Sequence, residues 1–149
     1  MDANQIRFVI FMSVFLLMLG LESILQRHPT VESKTRRLKI NLALTGIDIV
    51  LVRLFFGAAA VGAAQFAGEK GWGLFNHLHW PEGLEIFLCV VILDLMIYIQ
   101  HVVLHMIPFF WRFHVVHHSD LDLDVSSGLR FHPIEILCSM LYKIGLIYA

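Results

Sequence analysis

Six of the nine histidines lie between His101 and His132, and five of them form two short boxes, His101-x3-His105 and His114-x2-His117-His118. An even spread would put about two histidines in that stretch of 32 residues, and imidazole is the commonest protein ligand for transition metals. On a helix, residues four apart stand one above the other, so His101 and His105 aim at one ion. His114, His117 and His118 supply positions i, i+3 and i+4, and the adjacent pair is splayed by about 100°, which suits two neighbouring ions better than one. Pro108 lies between the boxes and disfavours helical geometry at Ile107, so the spacing predicts a break there that folds the second box back towards the first. His28, in a basic loop, and His77 and His79, beside Trp72 and Trp80, read as solvated or interfacial residues without a metal role.

The elements that must position these boxes are membrane helices. The chain is 58% hydrophobic with a mean hydropathy of +0.73, above the roughly 45–50% apolar content of soluble domains. Three stretches reach the length of about 20 residues needed to cross a bilayer: Ile6 to Leu25, Ile40 to about Phe66, and Leu84 to about Ile107. A fourth element from Ile134 to Ala149 is short for a span, carries Lys143, and reads as partial or interfacial. The expected fold is all-α: a single helical integral membrane domain over residues 1–149, with three transmembrane helices and a partial fourth. The first span lacks a clear cleavage site and reads as a retained anchor.

Net charge is −1 and excludes little, but the distribution is informative. Arg27, Lys34, Arg36, Arg37 and Lys39 face a single acid, Glu32, between the first two spans. This bias makes that connection cytoplasmic, turns the 68–83 connection outward, and brings the histidine boxes to the cytoplasmic side. The same bases read as a topology determinant and a lipid-headgroup contact; no nucleic-acid partner is expected. Cys89 and Cys138 sit in apolar stretches without C-x-x-C spacing and read as packing residues.

Ionisable groups within spans must face protein or water, since each costs at least roughly 2.5 kcal/mol on insertion scales. This applies to Asp48 and Arg53 in the second span and to Asp94 in the third. Asp94, Tyr98, His101 and His105 fall at offsets 0, 4, 7 and 11, a single helix face expected to point into the bundle. Asp94 is about 10 Å along the axis from His101, so it reads as a buried partner of Arg53 or Tyr98, with packing or proton handling as its role. Asp120, just after His118, is a candidate to orient an imidazole.

The run Trp111-Arg112-Phe113-His114-Val115-Val116-His117-His118-Ser119-Asp120, followed by Arg130-Phe131-His132-Pro133-Ile134-Glu135, resembles the fatty acid hydroxylase and sterol desaturase superfamily. Asp94-x3-Tyr98-x2-His101-x3-His105 extends the likeness, so its motifs cover residues 94–135. The form of the second box is most similar to the bacterial sterol-desaturase-like and alkylglycerol-monooxygenase branch. The resemblance implies a membrane oxidoreductase that uses O2 and two non-haem irons to hydroxylate or desaturate a lipid (sterol, fatty acyl or ether lipid). Its metal ligands would be His101, His105, His114, His117 and His118, with no further catalytic residue. His132, Asp120, Asp94 and Tyr98 stand as additional ligands or supports; at His132 a hydrogen bond is as fitting as ligation.

The implied partners are the bilayer, the lipid and an electron donor of cytochrome b5, ferredoxin or reductase type, and the implied location is a bacterial inner membrane with the site facing the cytoplasm. The first box departs from the pattern in having Val102 rather than Arg after His101. The pattern also ends in a third His-x2-His-His box, which does not occur by Ala149, so a C-terminally incomplete chain is the expectation. Asp120, Asp122, Asp124 or a partner chain are the other sources of ligands. Competing readings are a zinc-dependent membrane hydrolase, for which no His-Glu-x2-His run is present, a haem-binding electron carrier, and a non-catalytic metal transport or assembly protein.

Overall fold

The computed structural model describes residues 2–25, 29–78 and 80–149; Arg27, His28 and His79 lie outside them. Every regular element among the described residues is helical. Helix α1 spans Ala3–Ile24 and opens on a capping box, in which Asp2 accepts from the Gln5 amide at 2.8 Å and Gln5 accepts from the Asp2 amide at 3.0 Å. Helix α2 runs Lys34–Phe55, α3 Ala59–Lys70, α4 Glu82–Met106, α5 Pro108–His118 and α6 Pro133–Ile147. Short 3-10 turns occupy Leu74–His77 and Val125–Leu129.

The second predicted span is not one straight helix. It begins at Lys34, six residues before the expected Ile40, and breaks after Phe55 into a pair bent by 42°. Gly57 explains the break: it adopts φ +48°, a conformation that L side chains rarely take, and its amide closes onto the Val52 and Arg53 carbonyls. Helix α3 then ends at Gly71, which has φ 67° in the left-handed cap position.

Helices 4–24 and 82–106 are each long and apolar enough to cross a membrane, and the bent pair makes a third if counted as one span. Their side chains are open: Ile10 is 58% exposed, Phe87 62% and Val90 62%. Exposing such surface to water costs about 25 cal/mol per Å², whereas facing lipid tails is its stable environment. The buried set has the opposite composition. Among the described residues, the buried side chains apart from Phe15, Ala63 and Ala67 are polar: Arg37, Asn41, Asp48, His114, Asp120, Ser126, Ser127 and Glu135.

That polar interior changes the role of the basic stretch. Arg37 is 2% exposed and pairs with Asp120 at 2.6 Å and Asp124 at 3.1 Å, and Lys34 donates to Ser23 Oγ of α1 at 2.6 Å. Two of the residues read as headgroup contacts are therefore internal ties. Asp48 is buried, as its place in a span requires, while Arg53 is exposed. Cys89 and Cys138 are exposed free thiols on the apolar surface rather than packed residues.

Candidate metal centre

Helix α4 ends at Met106, Ile107 takes an extended conformation at φ −99° and ψ 115°, and Pro108 opens α5. Proline fits that first helical position because its missing N–H would have had no partner. The sharp turn lays α5 against the end of α4 and brings the two histidine boxes together.

Ligand atoms of His101, His105, His114 and His118 all lie within 4.8 Å of one another. The Nε2 atoms of His101 and His105 are 3.2 Å apart, as are those of His114 and His118. Two nitrogens each about 2.1 Å from one ion, and about 100° apart around it, would stand about 3.2 Å from each other, so each pair has the separation of two ligands on one ion. His114 is fully buried and His101 half-buried, while His105 and His118 are exposed. This donor set, neutral nitrogen only, suits a divalent transition metal such as iron or zinc and is poor for calcium or magnesium.

His117 borders the group without joining it. Its ring lies 5.0 Å from that of His118, 5.5 Å from that of His114 and 6.4 Å from that of His101. It stacks on Phe131 at 4.8 Å with only 3° between the planes, and its Nδ1 is 3.2 Å from the Arg130 carbonyl. A carbonyl only accepts, so this contact places the proton on Nδ1 and leaves Nε2 free to ligate.

His114 is held in a similar way by a side chain. Its Nδ1 lies 2.8 Å from Glu135 Oε1, and both residues are buried. Burial lowers the His114 pKa to about 4, helped by His105 and His117, which keeps the imidazole neutral. Partial loss of solvent likewise lowers that of His118, exposed though much of the residue is, helped by His117 and His114. Burial raises the Glu135 carboxyl, against the opposing pull of His117, His101 and His132. Glu135 Oε2 and Asp48 Oδ1 are both buried without a partner among the described residues.

The remaining candidates do other things. Asp120 touches no imidazole: it binds Arg37 Nε at 2.6 Å and accepts from Ser127 at 2.9 Å and Asn41 at 3.3 Å. Burial pushes its carboxyl up, but these bonds and the Asp122 amide outweigh that and hold it below the usual range. Asp122 accepts from the Val31 and Glu32 amides, and Asp124 caps the 3-10 turn through Ser126 and Ser127. All three carboxylates are thus engaged in fixing the segment after His118 rather than standing open as ligands.

His132 caps α6, its Nδ1 accepting from the Ile134 amide at 3.1 Å, with its ring 5.1 Å from Phe113. Asp94 and Tyr98 are exposed, so the face they share with His101 is uncovered along that part of α4. The reason is packing: α4 meets α5 at its histidine end, and α6 bonds it through Ser139 to Gln100 and Tyr142 to the Met96 carbonyl.

Glu135, Arg130 and Trp111 stand in the family-like runs but had no role assigned from sequence; the Trp111 ring lies 5.2 Å from His105 and 5.7 Å from His118. A metal-binding imidazole commonly donates its second N–H to a carboxylate, but nothing in the spacing pairs Glu135 with His114, 21 residues away.

Residues 86–149, which carry both boxes, α6 and their supports, match the family described as fatty acid hydroxylase. That likeness covers 64 of the 149 residues. Relatives agree. An ornithine lipid hydroxylase from Rhizobium tropici is 37% identical over 97 residues, covering 60% of this chain and 28% of the relative. An alkylglycerol monooxygenase from Caenorhabditis elegans is 34% identical over 101 residues, covering 66% of this chain and 20% of the relative. The chain therefore corresponds to less than a third of the length of either relative. No solved structure matches.

Proposed function

We propose that this chain carries the histidine-box part of a membrane-bound oxygenase that hydroxylates or desaturates a lipid with O2 at a non-haem di-iron centre. The observation that carries the reading is the convergence of four imidazoles, from two helices joined by the Pro108 turn, within 4.8 Å. Two relatives named for lipid hydroxylation and alkylglycerol oxidation favour lipid oxidation over the zinc hydrolase and haem readings.

In this proposal His101, His105, His114 and His118 ligate the first iron. His117, backed by the Arg130 carbonyl, serves the second, whose other positions are taken by groups beyond these five imidazoles. Bound iron supplies the capacity to activate O2 for attack on an unactivated C–H bond. The chain's own contribution is positional. His114 and His117 are held from behind, burial keeps His114 neutral, and Trp111 covers one side of the cluster.

Lys34, Arg36 and Lys39 at the start of α2 favour a cytoplasmic location for that end. The Arg37–Asp120 pair ties the segment after the second box to the same end. A bacterial inner membrane, with a cytoplasmic electron donor reaching the centre from that side, follows from this reading. The test is lipid analysis of cells expressing the full gene and its His105→Ala variant. Lipids that gain one oxygen or lose one pair of hydrogens only with the unaltered gene support the reading; identical lipids from both refute it.

A further inference from the structure

Most metal-binding histidines need their second nitrogen fixed, because a free imidazole exchanges its proton between the two nitrogens and rotates about its side-chain bonds. Of the four converging imidazoles, His114 is the most enclosed, with no exposed surface. Its ring meets His101 at 4.7 Å, His105 at 4.8 Å and His118 at 4.9 Å between centroids, so it sits at the centre of the cluster. The group behind it is Glu135, 2.8 Å from Nδ1 and itself 6% exposed.

Glu135 reaches this position because of the way α6 starts. His132 caps the helix, Pro133 fills its first position, and Glu135 falls in the first turn, where a carboxylate also gains from the positive end of the helix dipole. The packing of α6 against α5 then turns that carboxylate onto His114.

We infer that Glu135 is a positioning residue for the metal centre: its carboxylate accepts the Nδ1 proton of His114 and so directs Nε2 towards His101, His105 and His118. This rests on the metal-centre reading above. Glu135 touches no reacting group itself. His117 receives the same service from a main-chain carbonyl, so among the five box histidines the support of His114 is the one that a side-chain substitution removes cleanly. Loss of a carboxylate of this kind typically weakens metal affinity by about 10–100-fold.

The test is titration of the purified 149-residue chain, in detergent, with Co2+ as an optical probe, beside Glu135→Ala and Glu135→Gln. Helix content and melting are followed for each metal-free protein. The inference predicts affinity about 10–100-fold weaker for Glu135→Ala and an intermediate loss for Glu135→Gln, which keeps a neutral acceptor. In the metal-free wild type, nitrogen NMR should show the His114 proton on Nδ1, with a shift towards Nε2 in Glu135→Ala; a residue that only stabilised α6 would alter melting and neither of these readouts. Wild-type affinity in folded Glu135→Ala overturns the inference. If that variant does not fold, wild-type affinity in Glu135→Gln overturns it. A wild-type chain that takes up no Co2+ at the histidines refutes the metal-centre reading instead.

Discussion

Replacing Arg37 by Met should be among the most damaging single changes outside the histidine boxes. Arg37 and Asp120 have side chains 3% and 2% exposed, and their 2.6 Å pair spans 83 residues of sequence. Removing one member of a buried pair leaves an uncompensated charge and costs about 3–5 kcal/mol. Here Asn41 and Ser127 still donate to the Asp120 carboxylate, which should bring the loss to the lower end, about 3 kcal/mol. Against a total stability on the order of 5–15 kcal/mol, that is a large fraction.

The companion change Asp120→Asn removes the charge while keeping an acceptor, so the double variant should recover about 2 kcal/mol relative to additivity. The assay is reversible unfolding of the detergent-solubilised protein followed by circular dichroism, for wild type, both single variants and the double. A cost below about 1 kcal/mol for Arg37→Met, the range of exposed pairs, or full additivity in the double variant, would refute the claim that this pair holds the segment after His118.

His132→Ala should lower stability by about 1 kcal/mol through loss of the α6 cap and leave Co2+ affinity unchanged, with His132→Asn retaining both; a large loss of affinity would make His132 a ligand. The Glu32 and Val31 amides hold the Asp122 carboxyl below the usual carboxylate range, with a smaller contribution from Arg37. Its folded pKa is depressed, so the clamp it forms is complete above the unfolded value and is lost as pH falls through the folded one. The amide NMR signals of Val31 and Glu32 should therefore titrate with a midpoint below that of an ordinary exposed aspartate, and a midpoint at or above that of an unfolded-chain aspartate contradicts the assignment.

What the sequence made legible was local. The i, i+4 spacing of His101 and His105 put them on one face, and Pro108 announced the turn that joins the boxes, because both effects act within a few residues. The bend after Phe55 also had a local cause, but the signal was one glycine, Gly57, inside an otherwise continuous apolar run. The contacts that were missed are long-range. Glu135 meets His114 across 21 residues and Arg37 meets Asp120 across 83, so each depends on how helices return, which periodicity does not encode. Asp94 and Tyr98 mark the same limit from the other side: spacing assigned them a shared face correctly but could not say whether a neighbour covers it.

The central claim is that the converging imidazoles hold non-haem iron. Iron content, visible absorption and X-ray absorption at the iron edge, measured on protein from iron-supplied cells, test it most directly when wild type is compared with His114→Ala. The account predicts iron bound by several nitrogens at about 2.1 Å, no Soret band, and loss of most of that iron in the variant. A Soret band, or the same iron environment in His114→Ala, would contradict it.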